Sequence, residues 1–218
     1  MTAVRLLVVA KAPRAGRVKT RLGDEVGHHL AADVAAAALL DTLLACREAV
    51  GPDRCHLALG GDLGGATREV ELRDALVGWT VRPQRGDGFG ARLGHAHEDL
   101  GPGPVIQIGM DTPQVDGPLL TEVAAWLDTS SAVLGPAVDG GWWALGLRDP
   151  RRAGVLRDVR MSRPTTGRDT RAALQSAGLH VAEAPELRDV DTAADAAAVA
   201  AAVPDSAFAR AWSAVPVR

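Results

Sequence analysis

The chain has no tyrosine, only two phenylalanines and only two cysteines in 218 residues. Cys46 and Cys55 lack any metal-ligand spacing and fall at a helix end and a strand start, so they predict buried thiols in a reducing cytosol rather than a disulfide framework. No sign of charge dominates: 24 Lys plus Arg stand against 27 Asp plus Glu, a net charge of -3, which argues against nucleic acid or an anionic membrane as partner. The first apolar run breaks at Lys11 and Pro13 with no small-residue cleavage site after it. Neither a signal peptide nor a membrane span is therefore expected, and the expected compartment is the cytoplasm. The six histidines include His28-His29 and His95-x-His97, without the i, i+4 spacing of helical metal ligands. No G-x-S-x-G elbow or Cys-His pair is present, which argues against covalent hydrolase chemistry. The missing tyrosine, with abundant alanine, arginine and glycine, reflects GC-rich codons and carries no functional information.

What is present is an alternation. Apolar runs of strand length at 4–10, 55–60, 79–82, 104–109, 131–137, 142–147 and 179–184 are separated by helix-like patterns near 26–49, 66–77, 91–99, 117–128, 168–177 and 193–202. This order predicts an α/β domain: a mostly parallel, mixed seven-stranded sheet with helices on both faces. The link between 137 and 142 is too short for a helical crossover, so that strand pair is expected to be antiparallel. Without repeats or low-complexity linkers, residues 1–203 read as one domain and 204–218 as a C-terminal appendix. Trp212 there is placed to dock on the domain or on a partner, which leaves a homodimer open.

In an open α/β sheet, ligands bind beyond the carboxyl ends of the strands, here the loops that start at Lys11, Pro83, Met110 and Pro136. The first loop carries Lys11, Arg14, Arg17, Lys19 and Arg21 with no acidic residue among them. It matches neither a Walker A loop nor a dinucleotide fingerprint. Gly16 permits a tight bend, and cations so crowded repel one another unless an anion comes among them; a polyphosphate meets that need, while a solvated basic loop is the bland alternative. In IQIGMDTP (106–113) an apolar strand runs out into Asp111, a placement suited to Mg²⁺ or equally to a turn. In LRDVDTAAD (187–195), Thr192 and Asp195 read as a capping box for the next helix. That leaves Asp189 and Asp191 unexplained, and a cation shared with Asp111 would relieve their repulsion. In QRGDGFGARLG (84–94), Gly86, Gly88 and Gly90 let backbone approach a ligand, with Asp87 beside them and Arg92 opening a helix. Asp139-Gly140-Gly141 is a hairpin turn signal. After it, Trp142 and Trp143 alternate across a strand, one ring toward the core and the other toward the opposite face as a candidate pocket wall.

Taken in order, AKAPRAGRVKTRL, QRGDGFGARL, IGMDTP, LGPAVDGGWWALGL and DVDTAAD resemble the motif series of the DUF2064 family, the radical-SAM/selenodomain-associated transferases of the nucleotide-diphospho-sugar transferase superfamily. The resemblance runs from about 4 to 195. It implies a single Rossmann-like GT-A fold and a Mg²⁺ (or Mn²⁺) ion on Asp111 and Asp191, with these two residues and Lys19 as the catalytic set. It further implies phosphate and nucleotide contacts from Lys11, Arg14, Gly16, Arg17 and Arg21, with Gly86, Asp87 and Arg92 approaching base or acceptor. An acceptor pocket around Asp139, Gly140, Gly141, Trp142 and Trp143 completes the set. Two departures bear on the substrate: MSRPTTG replaces the family's tryptophan-serine-threonine cluster, and the tryptophan pair replaces a pair that is commonly tyrosine-containing. The expected reaction is nucleotidyl transfer from a nucleoside triphosphate to a small, phosphorylated or hydroxylated acceptor with loss of pyrophosphate. Glycosyl transfer from a nucleotide sugar is the alternative, and a non-catalytic nucleotide-binding module a more distant one.

Overall fold

Leu6 to Ala10 of β1 (Arg5–Lys11) are all buried, and they alternate between two faces. Leu6, Val8 and Ala10 join one apolar cluster; Leu7 and Val9 join another. A strand buried on both sides belongs in the middle of a sheet, and there it lies. The structure, a computed structural model, describes residues 3–215. The further strands are β2 (Cys55–Gly60), β3 (Thr80–Pro83), β4 (Val105–Ile108), β5 (Ala132–Pro136), β6 (Trp142–Leu147) and β7 (Val181–Glu183). Their order in the sheet is β3-β2-β1-β4-β6-β5-β7. Only β6 runs against its neighbours β4 and β5, as the short link before it requires.

The helices are α1 (Thr20–Val26), α2 (His28–Val50), α3 (Glu69–Ala75), α4 (Phe89–Glu98), α5 (Gly117–Trp126), α6 (Thr166–Ser176), α7 (Ala193–Ala202) and α8 (Ala207–Ser213). One face of the sheet is covered by α2, α3 and α5 through residues such as Leu39, Leu43, Leu72 and Leu120. The other is covered by α4, α6 and a 3₁₀ segment at Pro150–Asp158, through Leu93, Leu156 and Leu174. The helix predicted from residue 26 begins instead at His28, because Gly27 at φ 96° breaks the chain between α1 and α2. α2 is long and apolar enough to cross a membrane, yet 72% of its apolar window is buried in the protein, so its side chains are spent on the core.

Residues 204–215 pack onto this core. Phe208 of α8 is fully buried, half-buried Trp212 packs on the same cluster, and the Asp41 carboxylate of α2 accepts from the Ala207 and Phe208 amides at 3.0 and 2.8 Å. The remaining residues of the C-terminal segment, 216–218, lie outside the described residues.

The glycines of 86–90 divide in role. A side chain on Gly90 would stand 2.1 Å from the Leu156 carbonyl oxygen, so this glycine lets α4 approach the 3₁₀ segment. Its close backbone approach is to protein rather than to a ligand.

Candidate active site

Six strands end at one edge of the sheet, and β6 begins there. The chain leaving β1 bends at Gly16, φ 70°, with the Arg17 amide donating to the Arg14 carbonyl at 3.0 Å. Val18 is buried against Ala32 and Ala35. Lys19 then adopts a left-handed conformation, φ 43° and ψ 50°, just before α1. A non-glycine residue held there costs about 1–3 kcal/mol and persists only where its surroundings enforce it. What enforces it is an ion triad: Lys19 Nζ donates to Asp111 Oδ2 and Asp191 Oδ1, each at 2.8 Å. Burial alone would push the Lys19 ammonium down, but the two carboxylates outweigh it and hold the pKa above the usual lysine value. Asp111 leaves the end of β4, and the Val190 amide donates to the Asp111 carbonyl at 3.0 Å, which ties the 189–191 loop to it. The capping box of α7 closes that loop: Thr192 Oγ1 accepts from the Asp195 amide, and the Asp195 carboxylate from the Thr192 amide.

The triad stands where two lobes of one cleft meet. A cationic lobe of about 470 Å³ is lined by Lys11, Arg17, Lys19 and Arg21. A tryptophan lobe of about 420 Å³ is lined by Asp139, Gly141, Trp142, Trp143 and Asp189. Arg21, Phe89, Asp111, Ser162 and Asp191 border both. A larger hollow of about 610 Å³ at the opposite edge of the sheet, between Val4, Pro104 and Arg148, holds no comparable group of facing carboxylates and ammonium.

Several residues singled out from sequence lie elsewhere. Arg14 turns to the β2 loop and donates to the carbonyls of Asp62 and Gly64. Gly86, Asp87 and Arg92 do not line the cleft. A side chain on Gly86 would meet His95, and the Arg92 guanidinium lies 5.7 Å over the Phe89 ring. The neighbours that do line it are Phe89 and Gln84, whose amide donates to the carbonyls of Ala10 and Ala58 at 2.9 and 3.0 Å. Gln84 directly follows β3, and that position after a strand is the signal that could have found it. The tryptophans do face opposite ways. Strand register shifts between Gly135 and Pro136, Trp143 is buried on the α2 side, and half-buried Trp142 packs on the α6 side. Trp143 Nε1 donates to the Pro185 carbonyl at 2.8 Å and Trp142 Nε1 to Thr170 Oγ1 at 3.2 Å.

Asp139 Oδ1 accepts from the Gly141 amide at 2.7 Å, closing the hairpin turn, while the Gly167 amide donates to the Gly140 carbonyl at 2.8 Å. Gly140 has φ 85°, and a Cβ there would stand 2.0 Å from the Pro164 carbonyl oxygen. Gly140→Ala is accordingly expected to cost about 2–4 kcal/mol, from left-handed strain plus displacement of the 163–166 wall. Chemical denaturation measures this; an unchanged midpoint would mean that the wall yields freely.

Burial first, then the charges of Asp139, Asp111 and Asp191, push the Asp189 carboxyl up to about 6. Folded Asp189 thus holds its proton more tightly than the unfolded chain, whose aspartates titrate near ~3.9. Its stabilising contribution is present below that value and is lost as pH rises through about 6. Asp189→Asn is therefore expected to raise stability at pH ~7.5, in metal-free buffer, by about 1 kcal/mol after allowance for its partial exposure, with no gain at pH ~3.5. Urea unfolding at both pH values checks this, and a loss at the higher pH would contradict it.

Among the described residues no group of three or more His, Cys, Asp or Glu side chains is arranged as a metal cage. The site offers two carboxylates, each giving Lys19 one oxygen and keeping the other; the second oxygen of Asp191 lies 3.4 Å from Arg21. Two hard anionic donors beside a cationic cleft suit Mg²⁺ or Mn²⁺, which bind one or two protein carboxylates and complete their shell with water and substrate phosphate.

Comparisons with known proteins agree with this architecture. A protein from Desulfovibrio desulfuricans G20, provisionally assigned as a nucleotide-diphospho-sugar transferase, superposes with TM-score 0.82 at 27% identity, covering 98% of this chain and 94% of its own. Rv0371c from Mycobacterium tuberculosis H37Rv, solved in complex with manganese, gives TM-score 0.53 at 22% identity over 91% of this chain and 98% of its own. A CMP:2-keto-3-deoxy-manno-octonic acid synthetase complexed with CTP gives TM-score 0.55 at 12% identity over 93% and 99%. The latter two establish likeness of fold. No curated protein matches the sequence. The fold is that of the GT-A-like nucleotide transferases. The profile of DUF2064, described as an uncharacterized protein conserved in bacteria, matches residues 27–163, well over half the chain, and the protein belongs to that family.

Proposed function

We propose that the protein is a metal-dependent nucleotidyltransferase that joins a nucleoside monophosphate from a triphosphate donor to a small acceptor and releases pyrophosphate. The observation that carries this reading is the Lys19 ammonium 2.8 Å from both Asp111 and Asp191 at the junction of a cationic and a tryptophan-walled lobe. The donor triphosphate lies in the cationic lobe. Lys11, Arg17 and Arg21 line that lobe and neutralise the phosphate oxygens. Asp111 and Asp191 hold Mg²⁺ or Mn²⁺, which when bound withdraws charge from the phosphate oxygens. Lys19 sits beside the same oxygens and stabilises the negative charge that grows on the departing pyrophosphate. The acceptor enters from the tryptophan lobe, so that its nucleophilic oxygen faces the α-phosphorus from the side opposite the leaving group. Chemistry of this kind asks the protein for positioning and charge neutralisation rather than a covalent nucleophile.

Glycosyl transfer from a nucleoside-diphosphate sugar is the second reading, favoured by the assignment of the 27% identical Desulfovibrio protein. The products separate the two. With a small-molecule extract as acceptor pool, accumulation of pyrophosphate from a nucleoside triphosphate supports the first. Accumulation of nucleoside diphosphate from a nucleotide sugar, with no pyrophosphate from any triphosphate, replaces it with the second.

A further inference from the structure

The tryptophan lobe contains a polar group that the fold leaves unanswered. Thr112 lines the lobe and is 1% exposed, yet its Oγ1 has no hydrogen-bond partner in the protein. Leaving a buried hydroxyl unpaired is unfavourable, and natural interiors seldom tolerate it without a ligand or water to complete it. Around it the lobe is rich in acceptors. Asp139 spends one carboxylate oxygen on the Gly141 amide and keeps the other, and Asp189 faces the same space. Buried Gln107 on the same wall has its amide oxygen 3.0 Å from His97 Nε2, which leaves its NH₂ as the group available to the lobe. Half-buried Trp142 supplies an apolar face. The cations that border the lobe, Arg163 and Arg21, are exposed, and Arg21 already lies within 3.4 Å of Asp191.

A phosphate placed here would face two carboxylates at close range, a costly arrangement in a partly desolvated cleft. Hydroxyl groups carry no such cost. They donate to carboxylates, exchange hydrogen bonds with a threonine hydroxyl, and leave the C–H surface of the ligand for an aromatic face.

We propose that the tryptophan lobe binds a neutral polyhydroxylated acceptor, a sugar or sugar alcohol, with hydroxyls donated to Asp139 and Asp189 and one paired with Thr112 Oγ1, and that it rejects a phosphate at this position. The inference rests on the transferase reading above for the lobe's role as the acceptor side.

The test is calorimetric titration of the full-length protein with ribitol, sorbitol, glucose and myo-inositol, each against its monophosphate. A parallel thermal-shift measurement with nucleoside triphosphates and Mg²⁺ reports the donor side. At least one neutral polyol is expected to bind tenfold or more tightly than its monophosphate. Thr112→Val and Asp139→Asn are each expected to weaken that binding at least tenfold while the nucleotide shift stays as in the wild type. Thr112→Val should melt at or above the wild-type temperature, since it removes a hydroxyl that has no protein partner. Tighter binding of a monophosphate, binding of no polyol, or full affinity in both variants overturns the inference. Polyol binding in a protein that shows no nucleotide shift supports the lobe assignment and overturns the donor reading instead.

Discussion

Asp111→Asn is expected to lower metal-dependent turnover on the order of 10³-fold or more, because on the proposed mechanism the site then loses one of the two carboxylates that hold the cation and one of the two partners of Lys19. The amide nearly preserves shape, so the loss is one of charge. Stability should change little, within about 1 kcal/mol, since the Asp111 side chain is 35% exposed and partly solvated ion pairs contribute little. Steady-state rates at saturating Mg²⁺, with the melting temperature of the same sample, separate loss of chemistry from loss of fold. Undiminished turnover would remove Asp111 from the mechanism.

Lys19→Met is expected to do both kinds of damage. The Lys19 side chain is only 10% exposed, and its removal leaves two carboxylates facing each other without the cation between them. Breaking a buried ion pair by deleting one partner costs about 3–5 kcal/mol; with carboxylates about one-third exposed, about 1–3 kcal/mol is expected at pH ~7. Methionine keeps the length of the stem, so lost packing is a minor part. The wild-type ammonium is held above the usual lysine value. Its contribution is therefore fully present below the unfolded pKa of about 10.4 and is lost as pH rises through the folded one. The stability gap between wild type and variant should hold from neutral pH to about 10 and narrow beyond it. Lys19→Arg retains the charge, but its planar fork does not reproduce a compact ammonium between two oxygens. It is expected to recover stability more than turnover. Denaturant unfolding across this pH range checks the account, and a gap independent of pH up to 12 would contradict the ion-triad explanation.

The strands were legible because each apolar run is bounded by turn residues and has strand length, and the antiparallel β6 was legible because only four residues, 138–141, separate 137 from 142. α1 was not, since its first turn, with Arg21, reads as the end of the basic loop and only Gly27 marks where α2 starts. α8 was not either: its stability comes from tertiary contacts, Phe208 in the core and the Asp41 carboxylate at its N-terminus, which no local pattern reveals. At the site, Asp111 and Asp191 stood out as carboxylates in loops at the same edge of the sheet, whereas Lys19 was singled out from the other cations of its loop only by the family resemblance. Arg14 was indistinguishable from its neighbours in sequence, because a carbonyl pair on the β2 loop, 48 and 50 residues away, decides where it points. The alternating glycines misled for a similar reason: the partner that requires Gly90 is the backbone at Leu156. Positions are written in local sequence; the direction a long side chain takes is written in contacts between distant segments.

The most direct measurement of the central claim is a thermal-shift screen of the four ribonucleoside triphosphates and a set of nucleoside-diphosphate sugars, with and without Mg²⁺, on the wild type and Asp111→Asn. A ligand that binds the native state at 100 times its Kd stabilises by about 2.7 kcal/mol, a shift easily resolved. The account predicts a Mg²⁺-dependent rise with a triphosphate, larger than with any nucleotide sugar and absent in Asp111→Asn. A rise of equal size in the variant, or none with any triphosphate, would contradict it.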